Sequence, residues 1–495
     1  MTTNITDSTA AYAEPQYPPV GEPVSEGDRW YDRRFSKHLP PYSNAMVQVI
    51  FVSFVCFLTT GMFNALLGVG GLGGIDIHTS DLANMSLYTT FLVLGFVSGT
   101  IINMIGVRYA LCFGSLGYAL YAGLLLCFVH TENSGFVIAL GAILGICASC
   151  LWSAQGTIML SYPTENNKGK AIMTFWIIFN LGAVIGSVIP LAQNIHDKES
   201  KPTDGTFAAF LALMCCGSLV ALLLLPVSKV MKSDGTRVEA PQNPLLKKEL
   251  LELFHILKTE PMIYTLFPMF FASNWFYTYQ QSDFNAGHFN LRTRSLNSLL
   301  YWLMQMVGAL FIGFLLDWAR FSRKMRARIG WVVLFSCTMA IWGGGFKFQQ
   351  GFTRESVESM TKIDFTDRSY IGPMFLFMFY GAFDAIWQSF VYWLLGALSN
   401  KPRKAALYAG FYKGIQSAGA AIIWRLDSLG KLYMAIFGST WGLLAGSLLI
   451  AAPMVFIYVT DHTVEDGQLS IEDDADSHSQ QKSESSYVEV AHVGK

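Results

Sequence analysis

Charged residues are scarce in this chain. Only 14% of its 495 residues are Asp, Glu, Lys or Arg, and 52% are hydrophobic, whereas a soluble globular protein carries about 25% charged residues. The 37 Phe, 21 Tyr and 12 Trp add more apolar surface than the core of a soluble protein of this size could bury. The composition excludes an ordinary soluble domain and a fully disordered chain, and it predicts a helical membrane protein with several spans.

Other chemistries are also poorly represented. The formal net charge is −1, so no basic excess exists for binding nucleic acid. The eight cysteines all lie inside apolar stretches, which argues against a disulfide framework or a zinc site. No Ser/His/Asp, Cys/His or metal-ligand constellation is present. We therefore expect no enzymatic activity, no cofactor and no metal site.

The two ends of the chain lack long apolar segments. Residues 1–44 are polar and rich in Pro and Tyr, and they contain no hydrophobic region of the kind that a cleaved signal peptide has. Residues 461–495 are acidic and rich in Ser. We interpret 1–44 and 461–495 as disordered tails, and the first span as an uncleaved anchor.

Between the tails, apolar runs recur that are long enough to cross a bilayer, which takes about 20 helical residues. Two of them, 370–397 and 404–424, each contain one interior charge, Asp384 and Lys413. The other ten have no charge, and they are 45–75, 82–107, 109–129, 136–162, 171–195, 207–227, 261–282, 295–316, 329–346 and 432–460. The sequence therefore predicts twelve transmembrane helices.

The longest internal polar segment, 228–260, follows the sixth span. It divides the chain into a first six-helix bundle (45–230), a linker (231–260) and a second six-helix bundle (261–460). The segments on the side of the N-terminus hold roughly twice as many Lys and Arg residues as the opposite loops, which predicts a cytosolic location for both termini. The pattern does not distinguish the plasma membrane from a vacuolar or other internal membrane.

A short pattern recurs at the ends of the second and eighth spans. In the order glycine, polar residue, base, the two copies are Gly99, Asn103 and Arg108, and Gly313, Asp317 and Arg320. Glycine allows close helix packing, and an acid can pair with a base or a helix N-terminus. We interpret the pattern as a conformational latch, weakened in the first copy by Asn103; the alternative is packing glycines beside ordinary positive-inside charge.

Three stretches of the second half are more specific: YGAFDAIWQ at 380–388, YWLLGALSN at 392–400 and YAGFYKGIQSAGA at 408–420. They resemble fungal members of the uncoordinated-93-like branch of the major facilitator superfamily, and GMFNALLGVGGLGG at 61–74 is similar to the same branch. The resemblance implies an all-α major facilitator fold, with a cavity lined chiefly by spans one, four, seven and ten. It also implies a transporter, or, as in animal relatives, a regulator of other membrane proteins.

Asp384 and Lys413 are the only ionisable residues well inside the predicted spans. A charge at such a depth costs a few kcal/mol, so it indicates a function by default. Their depths differ by roughly 7 Å at ~1.5 Å per residue, which predicts a direct ion pair. The pair would serve proton or solute coupling, or else lock spans ten and eleven together. Trp387 and Gln388 share the helix face of Asp384, and Gln416 shares that of Lys413.

Polar residues in other spans extend this hypothesis. Asn64, Gln155, Asn180 and Asn274 lie in spans one, four, five and seven. Each alone is typical of a hydrogen bond between helices. Together they indicate a cavity with one carboxylate, several amides and nearby indole rings, which suits a small polar or cationic solute coupled to protons.

The leading hypothesis is a secondary active transporter that works by alternating access, with two bundles moving about a site at mid-membrane. Its partners would be the lipid bilayer and an unidentified small solute. The alternative is a non-transporting regulator or trafficking escort, whose partner would be another membrane protein.

Overall fold

The structure, a computed structural model, describes residues 29–33, 39–68, 77–131, 133–194, 204–238, 251, 255, 257–399 and 401–461. The predicted C-terminal tail after residue 461, most of the predicted N-terminal tail and much of the linker lie outside these ranges. Within them the chain is helical, and β-structure is limited to three isolated bridges.

In the described part of the chain, twelve helical segments correspond to the predicted spans. We label them Ala45–Leu66 (α1), Ile77–Ile105 (α2), Val107–Thr131 (α3), Ser134–Ser161 (α4), Lys168–Asn194 (α5), Asp204–Ala221 (α6), the consecutive pieces Pro261–Leu266, Phe267–Ala272, Trp275–Thr278 and Tyr279–Ala286 (α7), Leu291–Leu316 (α8), Arg323–Gln349 (α9), Ile371–Leu398 (α10), Pro402–Ser428 (α11) and Tyr433–Tyr458 (α12). A short helix, Arg354–Ser359, lies between α9 and α10.

Nine of the described helices are long and apolar enough to cross a membrane by themselves. The three remaining segments each have a physical reason to differ. The described helix of α6 is short, α7 is broken into pieces, and α11 carries Lys413 inside and further charges at its ends. Neighbouring helices supply partners for the break in α7 and for Lys413 of α11, as polar groups inside a membrane require.

The end of α6 differs from the predicted span of 207–227. The helix ends at Ala221, and the chain then turns before Pro226, which cannot continue a helix. The backbone N–H of Leu225 donates instead to Oε1 of Gln48 on α1, at 2.9 Å. A buried side-chain amide thus replaces the hydrogen bond that the helix would have supplied.

Both ends of the helical array lie on one side, which we call the terminal face. Arg323 at the start of α9 donates to the carbonyl of Thr460 at 2.5 Å and pairs with Glu165 at 3.1 Å. The hydroxyl of Tyr42, just before α1, donates to the carbonyl of Leu223 at 2.6 Å. The opposite side, where α2 and α8 begin, is the distal face.

Part of the predicted N-terminal tail packs against the chain that follows α6. Trp30–Asp32 form a short 3₁₀ turn, and the carboxylate of Asp32 pairs with Arg237 at 2.7 Å. The side chain of Asn44 caps α1 by accepting from the N–H of Met46 at 2.9 Å. The tail is therefore structured close to the membrane, because its acid and aromatic groups find partners there.

The first and second halves of the chain are joined by α2 packing on α11 and α5 packing on α8. Glycines set the first contact: a Cβ on Gly95 would lie 2.7 Å from the Cα of Gly414, and a Cβ on Gly99 would lie 2.5 Å from the carbonyl oxygen of Ala406. In the second contact, the hydroxyls of Ser187 and Ser298 lie 3.2 Å apart. Because α2 and α5 meet α11 and α8, a central space remains between the halves.

Candidate functional site

A central cavity of about 150 Å³ lies between the two halves. Its polar lining comes from both of them and consists of Thr60, Asn64, Ser80, Asp81, Asn84, Asn274, Gln281, Ser282, Gln305, Gln388, Lys413 and Gln416. Aromatic rings complete the wall, among them Tyr88, Trp152, Trp176 and Tyr277. The cavity lining thus combines amides with aromatic rings.

Asp384 lies behind this wall rather than on it. Its side chain is fully buried, and its Oδ2 accepts hydrogen bonds from Tyr277 Oη at 2.5 Å, Tyr301 Oη at 3.1 Å and Gln305 Nε2 at 2.6 Å. Its Oδ1 has no hydrogen-bond partner within the described ranges. Since Tyr277 and Gln305 line the cavity, they separate the carboxyl group from it.

Lys413, in contrast, lines the cavity directly. Its Nζ donates to Oε1 of Gln416 at 2.8 Å. The ammonium also lies 4.8 Å from the ring centroid of Trp152, 4.7 Å from that of Tyr412 and 5.3 Å from that of Tyr392. At these distances the faces of the rings attract a cation. Because Trp152 is on α4, Lys413 links the second half to the first.

The predicted direct ion pair between Asp384 and Lys413 is not formed. The carboxyl accepts from two tyrosines and a glutamine, and the ammonium uses Gln416 and the aromatic rings. Two amides connect the pair indirectly, since Nε2 of Gln416 donates to Oε1 of Gln388 at 3.2 Å and Gln388 follows Asp384 by one helical turn. Similar depths of Asp384 and Lys413 in the membrane do not fix the direction in which either side chain points, and the aromatic partners of the lysine come partly from another helix, α4.

Three predicted site residues meet at the break in α7. The helix is interrupted at Ser273 and Asn274, and Nε2 of Gln388 donates to the Ser273 carbonyl at 2.8 Å. Nε2 of Gln416 donates to Oδ1 of Asn274 at 2.8 Å. A carbonyl freed by a helix break needs such a partner inside a membrane. Gln388, Gln416 and Asn274 therefore stabilise the break and line the cavity together.

The other predicted residues divide between the cavity and the helix contacts. Asn64 of α1 lines the cavity. The indole N–H of Trp387 donates to Ser273 Oγ at 2.8 Å, Gln155 accepts from Tyr392 Oη at 2.9 Å, and Asn180 donates to the Trp176 carbonyl at 2.8 Å. Trp387, Gln155 and Asn180 thus make hydrogen bonds within and between helices instead of lining the cavity themselves.

The distal part of the cavity was not anticipated. Asp81, Asn84, Tyr88 and Phe91 of α2 all line it, and their spacing of three, four and three residues places them on one helix face. The predicted second span began at residue 82, which left Asp81 outside the membrane. The polar and aromatic periodicity over 81–91 is the signal that could have found this surface.

At the terminal face, Asp317 joins the two halves. Its carboxylate accepts from the backbone N–H of Gly169 at 2.8 Å and of Lys170 at 2.6 Å, at the start of α5, where the helix dipole favours a negative charge. Burial raises the pKa of Asp317 above its ordinary value, while the two backbone donors act in the opposite direction. Gly313, the partner glycine of the pattern, packs against the side chain of Met173 on α5.

A second contact between the halves at this face involves Lys168. Its ammonium donates to the carbonyl oxygens of Gly396 and Ser399 at the end of α10, where the helix dipole favours a positive charge. These partners are more than 200 residues away along the chain, so a local sequence pattern could not indicate them.

The remaining residues of the repeated pattern lie in different surroundings. Asn103 is buried, the guanidinium of Arg108 lies 5.4 Å from the ring centroid of Tyr109, and Arg320 is exposed. In the first copy, Gly99 contacts the opposite half directly, through α11.

The chain is similar over most of its length to proteins that are named UNC93-like. It is 50% identical over 429 residues to an UNC93-like protein of Schizosaccharomyces pombe, covering 86% of this chain and 85% of the relative. It is 37% identical to UNC93-like protein 1 of Arabidopsis thaliana, covering 86% of this chain and 93% of that relative. The predicted resemblance to the uncoordinated-93-like branch is confirmed.

A solved structure supports the same fold. The structure of a proton:xylose symporter of the major facilitator superfamily is similar with a TM-score of 0.58 at 13% identity, covering 84% of this chain and 97% of the symporter. The predicted all-α fold of twelve transmembrane helices in two six-helix bundles is thereby confirmed. A sequence model of the Major Facilitator Superfamily matches residues 49–424, and this multi-pass integral membrane protein therefore belongs to that superfamily.

Proposed function

We propose that this protein is a secondary active transporter that moves a small polar solute by alternating access. The observation that carries the proposal is a polar, aromatic-lined cavity between two halves that contact each other at the terminal face. Such a cavity at the interface of two helical bundles is typical of transporters in which one bundle moves against the other.

The contacts describe one state of the cycle. Asp317 binds the start of α5, Lys168 binds the end of α10, and Gly99 packs against α11, so the terminal face is closed. The cavity lining continues toward the distal face through Ser80 and Asp81 at the beginning of α2. Solute would enter from the distal side in this state, and it would leave after the terminal contacts break.

Asp384 is the coupling residue in this proposal. All three donors bind one of its oxygens, and within the described ranges its other oxygen has no hydrogen-bond partner. No Lys or Arg of the described chain lies within ion-pair distance of it, and an unpaired ionised carboxylate in a dry site is costly. We infer that Asp384 carries a proton in the state described here and releases it when Tyr277 and Gln305 move.

The orientation follows from charge. The terminal face carries the larger share of Lys and Arg, so we propose that it faces the cytosol, together with both termini. The distal entrance then faces the outside of the cell or the lumen of an organelle.

The test is transport by the full chain in proteoliposomes. Radiolabelled monosaccharides, nucleosides, amino acids and monocarboxylates are screened by counterflow, and a solute that exchanges is then tested for accumulation driven by a pH gradient. We expect Asp384→Asn to retain counterflow but to lose accumulation, because exchange needs no net proton movement. Ser389→Ala, a buried change on the same helix whose hydroxyl has no partner within the described ranges, should retain both activities.

Accumulation by Asp384→Asn equal to that of the parent protein would refute the coupling role. Absence of flux for every solute, together with stoichiometric copurification of another membrane protein, would instead favour a non-transporting regulator or escort.

A further inference from the structure

The charges around the cavity are unevenly placed. Of the described residues that line it, Asp81 and Lys413 are the charged ones, and Asp384 is shielded from it by Tyr277 and Gln305. The prediction of a polar or cationic solute from the sequence depends on Asp384 being part of the cavity wall. The lining itself offers a solute an ammonium group.

The two charged lining residues lie far apart. Gly95 of α2 contacts Gly414 of α11, the residue next to Lys413, so Lys413 lies at about the depth of Gly95. Asp81 is 14 residues before Gly95 on the same helix, which corresponds to about 21 Å along its axis. A small solute in the deep part of the cavity therefore meets Lys413 without meeting Asp81.

The ammonium of Lys413 is prepared to bind an anion. It has three N–H donors, and its hydrogen-bond acceptor within the described ranges is Gln416 Oε1. The rings of Trp152 and Tyr412 attract the cation, but they accept hydrogen bonds only weakly. An anionic oxygen would therefore be a stronger partner than any that the lysine has here.

The surroundings of Lys413 suit a flat, apolar group beside that anion. The indole of Trp152 is fixed by a hydrogen bond from Nε1 to Tyr118 Oη at 3.1 Å and by an edge contact with Phe179, at 5.6 Å between ring centroids. All three rings line the cavity. The whole cavity, from Asp81 to Lys413, has a volume of about 150 Å³, and a cavity of that volume can accept a benzene ring.

We propose that the solute of this cavity is a small organic carboxylate, whose anionic group pairs with Lys413 and whose apolar body packs against the ring of Trp152. The inference rests on the proposed function in taking this cavity as the solute site. Symport of such an anion with the proton of Asp384 would move no net charge across the membrane.

The experiment measures binding to the full chain in nanodiscs by quenching of tryptophan fluorescence. The probes are benzoate, benzamide and benzylamine, which share a ring and differ in charge. We expect benzoate to bind at least tenfold more tightly than either of the others. Lys413→Gln should reduce benzoate affinity to that of benzamide, and Lys413→Arg, which keeps the positive charge, should retain the preference for benzoate.

The matched control is Lys404→Gln, the same change on the same helix. Lys404 pairs with Glu260 at the terminal face, away from the cavity, so benzoate binding should be unchanged. The proposal is overturned if benzylamine or benzamide binds as tightly as benzoate, if none of the three binds the parent protein, or if Lys413→Gln, eluting as a monodisperse folded protein, binds benzoate as the parent does.

Measurements of binding and of transport together distinguish a failure of this inference from a failure of the proposed function. Benzoate binding that depends on Lys413, without flux of any solute in proteoliposomes, would retain the carboxylate site and refute the transporter. Flux of a cationic or neutral solute, without benzoate binding, would retain the transporter and refute the carboxylate site.

Discussion

Replacement of Asp317 with alanine should open the terminal face. The carboxylate accepts two backbone hydrogen bonds from the start of α5, and hydrogen bonds to charged groups contribute about 1.5–3 kcal/mol each. Burial raises the pKa of Asp317, so desolvation offsets part of this gain. In the open state water would also satisfy the freed N–H groups. We therefore take about 2 kcal/mol for the whole contact, which corresponds to a shift of roughly 30-fold toward the open state.

Ala406 provides the reporter for this opening. It is fully buried and lies under Gly99 at the contact between α2 and α11. In a background without the eight native cysteines, Ala406→Cys should react slowly with a polar maleimide added at the terminal face. Asp317→Ala should raise the labelling rate by roughly 30-fold, since the rate follows the population of the open state.

The matched control for this experiment is Arg320→Ala. Arg320 belongs to the same repeated pattern but is exposed, so its removal should change the labelling rate by less than twofold. A labelling rate in Asp317→Ala within twofold of the parent would refute the assignment of Asp317 as a contact that holds this face closed.

Two further predictions concern buried charge on the distal side. The guanidinium of Arg354 contacts the buried carboxylates of Asp283 and Asp427, so Arg354→Met should lower the free energy of unfolding by about 3 kcal/mol. In thermal unfolding, the double variant with Asp283→Asn should recover part of the lost stability. Equal stability of Arg354→Met and the parent protein would contradict this prediction. Arg292 of α8 holds the pKa of Asp364, in the loop before α10, well below its ordinary value. This carboxylate therefore stabilises the protein above the unfolded pKa of about 3.9, and the gain is lost as the pH falls toward the folded value. The difference in melting temperature between the parent and Asp364→Asn should therefore narrow from pH 7 to pH 3.5, and a constant difference would count against the effect.

Several features of the membrane architecture could be predicted from the sequence because they depend only on the order of residues along the chain. A bilayer requires about 20 apolar residues for each crossing, so the number and order of the spans follow from apolar runs and the charges between them. Asp384 and Lys413 are conspicuous for the same reason, since an interior charge is costly wherever its helix is placed. The helices extend a few residues beyond most of the predicted runs, as α9 does at Arg323 and Gln349, because long polar side chains at helix ends can reach the interface.

The partners of these residues were decided by the tertiary structure. Depth along a helix does not give the rotation of that helix, so the sequence could not place Asp384 behind Tyr277 and Gln305 or Lys413 against Trp152. The same uncertainty led to Gln155 and Trp387 being counted with the cavity residues.

The contacts between the halves join residues that are close in space but far apart along the chain. Asp317 and Gly169 are 148 residues apart, and Lys168 meets Gly396 across 228 residues. Apolar length and the cost of buried charge are properties of each segment, and the sequence by itself determines them. Which polar groups meet is a property of how rigid helices pack, and this packing is set by close contacts such as Gly95 against Gly414, which only the folded bundles define.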